Sequence, residues 1–179
     1  MYCAVNPFPY LLVIPALLQL GLSAASLASG IRFFRYVSSR LKSRPNTFEG
    51  FVTVLAPCRG AEGGLKENLL SMLAQKRDNY EVIFIVDDED DPAAAVVREV
   101  AEPFCNARMV IAGPARDCGQ KVHSLIKGID AADKGSGAFV FVDSDARPSK
   151  DWLTDILAPL RDNEIGCSTG YRWFVQDKG

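Results

Sequence analysis

Histidine, paired cysteines and N-terminal charge are what this sequence has least of. Its five cysteines, at positions 3, 58, 105, 118 and 167, form no CxxC pair, and His123 is the only histidine. That scarcity argues against a zinc centre built from Cys and His. An odd, scattered cysteine set fits a reducing compartment better than a disulfide framework. No charged residue occurs from Met1 to Ile31, and no acid stands among Arg32, Arg35, Arg40, Lys42 and Arg44. Those five leave 15 of the 20 basic residues to face all 22 acidic ones. An acidic body of that kind argues against nucleic acid as a partner. Internal repeats and low-complexity tracts are also missing.

What is there begins with "YLLVIPALLQLGLSAASLASGI", residues 10–31. As a helix rising ~1.5 Å per residue it would span about 33 Å, enough for a bilayer core. The basic cluster that follows predicts that its C-terminal side faces the cytoplasm. A cleaved signal peptide is the competing reading, because "SLA" resembles a small-residue cleavage site. However, no basic segment precedes the apolar run, and the run is long. A buried core helix fits less well, since the segment shows no amphipathic stripe. The expected division is an anchor with its basic juxtamembrane segment over 1–44 and a second domain over 45–179. "SRPNTFEG" (43–50) reads as the linker.

With 48% hydrophobic and 23% charged residues, the chain is composed as a globular protein. Beyond the linker, apolar β-branched runs alternate with segments of helical spacing. Strands are expected at 51–56, 80–86, 107–112 and 138–142, with another beginning in 165–174. Helices are expected around Leu65–Leu73, at 92–104 with Pro92 in the first turn, at 120–132, and after Ser149 as N-cap. Alternation with near-continuous apolar strands predicts an α/β fold with a mostly parallel, Rossmann-like sheet and flanking helices. Ligands bind such sheets beyond the carboxyl ends of the strands. Three strands end in conspicuous chemistry: "PCRGAEGG" (57–64), "DDEDDP" (87–92) and "DSDARP" (143–148). The fold predicts all three at one edge.

The glycine-rich "PCRGAEGG" matches neither the dinucleotide fingerprint nor the phosphate-binding P-loop. It reads equally as an ordinary turn or as a loop whose N–H groups approach a phosphate or base. Asp87 closes a strand, where its carboxylate can accept from a nucleobase N–H or sugar hydroxyls. Asp88 to Asp91 read as a solvated acidic turn with helix-capping character. Lys121 opens a helix, where it can reach a diphosphate or simply lie at the surface. His123 reads as a packed helix residue. Asp143 and Asp145, two apart at a strand end, carry the sharpest signal. Hard cations such as Mg²⁺ or Mn²⁺ take carboxylate and phosphate oxygens together. A charged turn capping the next helix is the plainer reading.

Taken in order, "VTVLAPCRG", "IFIVDDEDDPA", "CGQKVHSLIKG", "FVFVDSDARPSKDWLTDILAPL" and "IGCSTGYRWF" resemble glycosyltransferase family 2, closest to its ceramide glucosyltransferase-like and hopanoid-lipid branch. The likeness spans roughly Phe51 to Phe174. It implies a GT-A nucleotide-sugar-binding fold, a UDP-sugar donor and Mg²⁺ or Mn²⁺. It further implies inverting transfer to a ceramide-like or hopanoid-like lipid hydroxyl at the membrane. By the same resemblance Pro57, Arg59, Gly60 and Glu62 line the nucleotide, and Asp87 contacts uracil. Lys121 lies near the diphosphate, Asp143 near the ribose or metal, and Asp145 ligates the metal. The family's general base, an aspartate followed by Q-x-x-R-W, is expected beyond Gly179. Arg172-Trp173 does not supply that motif, because Thr169 stands three residues before Arg172. A catalytically incomplete remnant, binding a nucleotide-sugar or a protein partner, is therefore the alternative. A haloacid-dehalogenase-type phosphatase is disfavoured by Arg147 and by three strands preceding the DxD. A phospho-receiver domain leaves the later DSD without a place.

Overall fold

Val52, Val54 and Ala56 alternate with Thr53 and Leu55 along β1 (Phe51–Cys58), and all five are buried. A strand buried on both faces must sit inside a sheet covered by helices on each side. The computed structural model, which describes residues 8–42, 48–61 and 63–170, has that arrangement. β1 pairs in parallel with β2 (Tyr80–Val86) on one side and β4 (Ser136–Phe141) on the other. β3 (Ala107–Ile111) lies outside β2, giving the order β3-β2-β1-β4. The expected parallel sheet with flanking helices is therefore present, and the ends of β1, β2 and β4 share one edge.

One face of the sheet carries Val52, Val54, Val82, Phe84 and Val140. The helices α2 (Leu65–Leu73), α3 (Pro92–Ala101) and α5 (Trp152–Leu157) supply Leu69, Val97 and Leu153 to the same cluster. The other face carries Leu55, Ile83 and Ile85, packed against Leu125 and Ala131 of α4 (Gln120–Ala131). Gly128 lets α4 lie this close: a Cβ there would stand 2.9 Å from both Leu55 Cδ2 and Ile85 Cδ1. A polar cluster locks the opposite, amino end of the sheet. Glu81 Oε1 accepts from buried Thr53 Oγ1 at 2.8 Å and from Asp133 N at 2.8 Å. Its Oε2 accepts from Arg108 Nη2 at 2.9 Å. A carboxylate this enclosed is tolerated because its oxygens are so fully hydrogen-bonded.

Three expectations differ from the structure. Ser149 is not the cap of α5, whose N-cap is Asp151 without a side-chain hydrogen bond. Buried Gln75 does that work instead: its Oε1 accepts from Leu153 N at 2.9 Å and its Nε2 donates to Ser149 O at 3.0 Å. No strand begins at residues 165–170, and 171–174 lie outside the described residues. The helix at 92 stops at Ala101, ahead of Pro103.

The chain divides into two units, Met1–Pro45 and Asn46–Gly179. The first contains α1 (Phe8–Lys42), which continues well past Ile31 into the basic segment. Within it Val13–Ser39 is long and apolar enough to cross a membrane.

Candidate functional site

The DSD turn owes its position to a proline. Leu55 O accepts from Val142 N at 3.1 Å, so on that side of β1 the next residue to face β4 is Pro57. Proline has no N–H to extend the ladder. Pairing stops, and the chain turns at Asp143, where Ala146 N donates to Asp143 O at 3.0 Å. Asp143 and Asp145 are both exposed on this turn. Pro57 thus lies within β1, and the glycine-rich loop proper starts at Arg59. Cys58 is buried, and burial first, then Asp91, pushes its thiol up to about 12. It stays protonated and unreactive at neutral pH.

The end of β2 is held from three directions. Asp87 Oδ1 accepts from Gln120 Nε2 at 3.0 Å and from Ser124 Oγ at 2.9 Å. Its Oδ2 lies 4.0 Å from Arg59 Nε, on a side chain that is 79% exposed. Gln120 also binds Gly113 O and Ala115 N, both at 2.8 Å, and so shapes the loop before α4. The next residue, Lys121, reaches the other strand end: its Nζ is 2.5 Å from Asp143 Oδ1. Adjacent residues at the start of α4 therefore join Asp87 to Asp143. Both Lys121 and Asp143 are at least half exposed, so this pair is worth little to stability.

The glycine-rich loop is fastened by Asp91. Its Oδ1 accepts from Ala93 N, capping α3, and from Gly60 N, each at 2.8 Å. The capping was legible in the sequence, whereas the bond to Gly60 joins residues far apart in the chain. Of the expected site residues, Pro57, Arg59, Gly60, Asp87, Lys121, Asp143 and Asp145 all lie at this edge. Glu62 lies outside the described residues. His123 packs as expected, with Nε2 3.0 Å from Ala112 O.

Sequence reasoning overlooked Gln120, Ser124 and Asn68. Asn68 had a readable signal: it falls on the buried face of α2 with Leu65, Leu69 and Met72, where a polar side chain demands partners. It finds them in the DSD segment, donating to Ser144 O at 3.2 Å and accepting from Arg147 Nε at 3.0 Å.

Among the described residues no group of three His, Cys, Asp or Glu side chains is placed to hold a metal ion. The side chains on offer are two exposed carboxylates on one turn. That oxygen set fits Mg²⁺ or Mn²⁺ if a diphosphate supplies further oxygens.

The family model described as Glycosyl transferase family 21 matches residues 12–179. The chain belongs to that family. Among solved structures it is similar to the mannosyltransferase PcManGT from Pyrobaculum calidifontis in complex with GDP-Man and Mn²⁺. The TM-score is 0.55 at 22% identity, over 82% of this chain and 44% of that one. It is also similar to Staphylococcus aureus TarS 1–349 in complex with UDP-GlcNAc, with TM-score 0.51 at 21% identity, over 64% of this chain and 32% of that one. At these identities the likeness is one of fold, and the fold is GT-A. The chain spans less than half the length of either structure.

Proposed function

We propose that this edge binds the nucleoside diphosphate of a UDP-sugar together with Mg²⁺ or Mn²⁺, and that the sugar passes to a lipid hydroxyl with inversion. The observation that carries the reading is the pairing made by Gln120 and Lys121. It brings Asp87 and the DSD turn under one helix start. Asp87 Oδ1 is occupied by two donors, so Oδ2 is the oxygen that accepts from the imide N–H of uracil. Pro57, Arg59, Gly60 and Glu62 line the nucleotide. Asp145, with Asp143, would hold the metal, which when bound would offset charge on the departing diphosphate. Lys121 would exchange its contact with Asp143 for a phosphate oxygen. The acceptor hydroxyl needs a base, and no described residue is assigned that part. UDP is favoured over GDP by the resemblance to lipid glucosyltransferases; GDP-Man is what PcManGT binds.

The lipid acceptor is supported by α1, whose apolar stretch would keep the domain at a bilayer, and by the ceramide-like or hopanoid-like resemblance. The basic residues after Ile31 favour a cytoplasmic domain. Membranes from cells expressing the chain, washed with carbonate and supplied with UDP-[¹⁴C]glucose and Mn²⁺, test this. Label is expected in the organic phase, and chelation is expected to remove it. Label that stays aqueous with every UDP-sugar and GDP-sugar tried would contradict transfer. Donor binding retained without transfer would mark the chain as a binding module.

A further inference from the structure

Arg147 stands two residues past the DSD turn, and its surroundings differ from those of the other cations at this edge. Lys121 faces Asp143 and Arg59 faces Asp87, carboxylate against cation. Arg147 is held by the amide of Asn68, its Nε donating to Oδ1 at 3.0 Å. An amide fixes a guanidinium without cancelling its charge. Asn68 is itself only 9% exposed, and its amide nitrogen donates to Ser144 O, between the two aspartates. One buried amide thus joins the guanidinium to the turn expected to carry the metal.

The outer end of Arg147 points to the glycine-rich loop. Its Nη2 lies 3.4 Å from where a Cβ on Gly64 would stand. Gly64 has φ +90°, a conformation that favours glycine, and caps α2 with no side-chain hydrogen bond. A planar cation therefore sits between the loop after β1 and the turn after β4, the two segments that would flank a bound diphosphate.

We infer that Arg147 is a diphosphate-binding residue and that Asn68 is the positioning residue that aims it. The inference rests on the donor-binding reading above. Guanidinium suits the task because its fork matches two phosphate oxygens. In the reaction it would stabilise the same diphosphate as it leaves, with no proton moved by Arg147 itself.

The full chain in detergent tests this, with UDP binding measured by calorimetry in Mn²⁺ and uridine binding by ligand-observed NMR. Arg147→Gln is expected to weaken UDP about tenfold, the scale of one charge-assisted hydrogen bond. It should change uridine, which lacks both phosphates, by less than about twofold. Asn68→Ala should weaken UDP in the same direction, and adding it to Arg147→Gln should cost little more, because the two act as one unit. Arg147→Lys should recover part of the loss. If Asn68→Ala fails to fold, Asn68→Asp replaces it: a carboxylate against the guanidinium cancels its charge and should also weaken UDP while sparing uridine. Unchanged UDP binding in Arg147→Gln, or an equal loss for uridine, would overturn the assignment. Should the wild-type chain itself not bind UDP, the donor-binding reading falls and this inference falls with it.

Discussion

Asp145→Asn should reduce metal-dependent sugar transfer about 100-fold or more. Losing a residue that merely supports a metal ligand costs 10–100-fold in affinity or activity, and a ligand itself should cost at least as much. Asparagine keeps the size of the side chain and one oxygen, so the exposed turn should fold as before. What disappears is a full negative charge against a divalent cation. The melting temperature without ligand is therefore expected to move by little, since an exposed turn residue away from caps and core rarely contributes more than about 0.5 kcal/mol. A variant whose transfer keeps the wild-type dependence on Mn²⁺ would count against Asp145 as a ligand. Radiolabel incorporation titrated over Mn²⁺ decides this.

The second large effect concerns the sheet that carries the site. Phe84 is fully buried at the middle of β2, between Ala56 of β1 and Met109 of β3 in register. Phe84→Ala removes a ring from the face packed by α2, α3 and α5. The expected loss is about 3–5 kcal/mol, part lost transfer energy and part cavity. Against a typical total of about 5–15 kcal/mol, that is a large fraction. At roughly 3 °C per kcal/mol for a unit of this size, the melting transition should fall by about 10 °C or more. A fall of only a degree or two would mean that the sheet face closes over the gap or is not packed as described.

How far the sequence could be read follows from where each signal lies. β2 was legible to the residue, because "YEVIFIV" is apolar but for Glu81 and stands between polar turns. The parallel order followed from helices alternating with such runs, and with it the shared edge for "PCRG", "DDED" and "DSD". Local capping chemistry was partly legible: Asp91 before Pro92 reads as a cap and is one. Ser149 reads as a cap too, yet buried Gln75 takes the N–H of Leu153 from across the chain. Tertiary hydrogen bonds of this kind leave no trace in local pattern. The same applies to Gln120 with Asp87 and to Lys121 with Asp143, pairs separated by 33 and 22 positions. The extension of α1 through the basic segment was missed because the charge-free run ends at Ile31. Arginine, lysine and leucine are good helix formers, so the helix need not end there.

The central claim is that the edge formed by Asp87, Lys121, Asp143 and Asp145 binds a nucleoside diphosphate through a divalent metal. Calorimetric titration of UDP into the full chain, once in Mn²⁺ and once in EDTA, tests it most directly. Saturable binding that weakens at least about tenfold on chelation is the expected result. No heat of binding at millimolar UDP in Mn²⁺, or binding indifferent to chelation, would contradict the account.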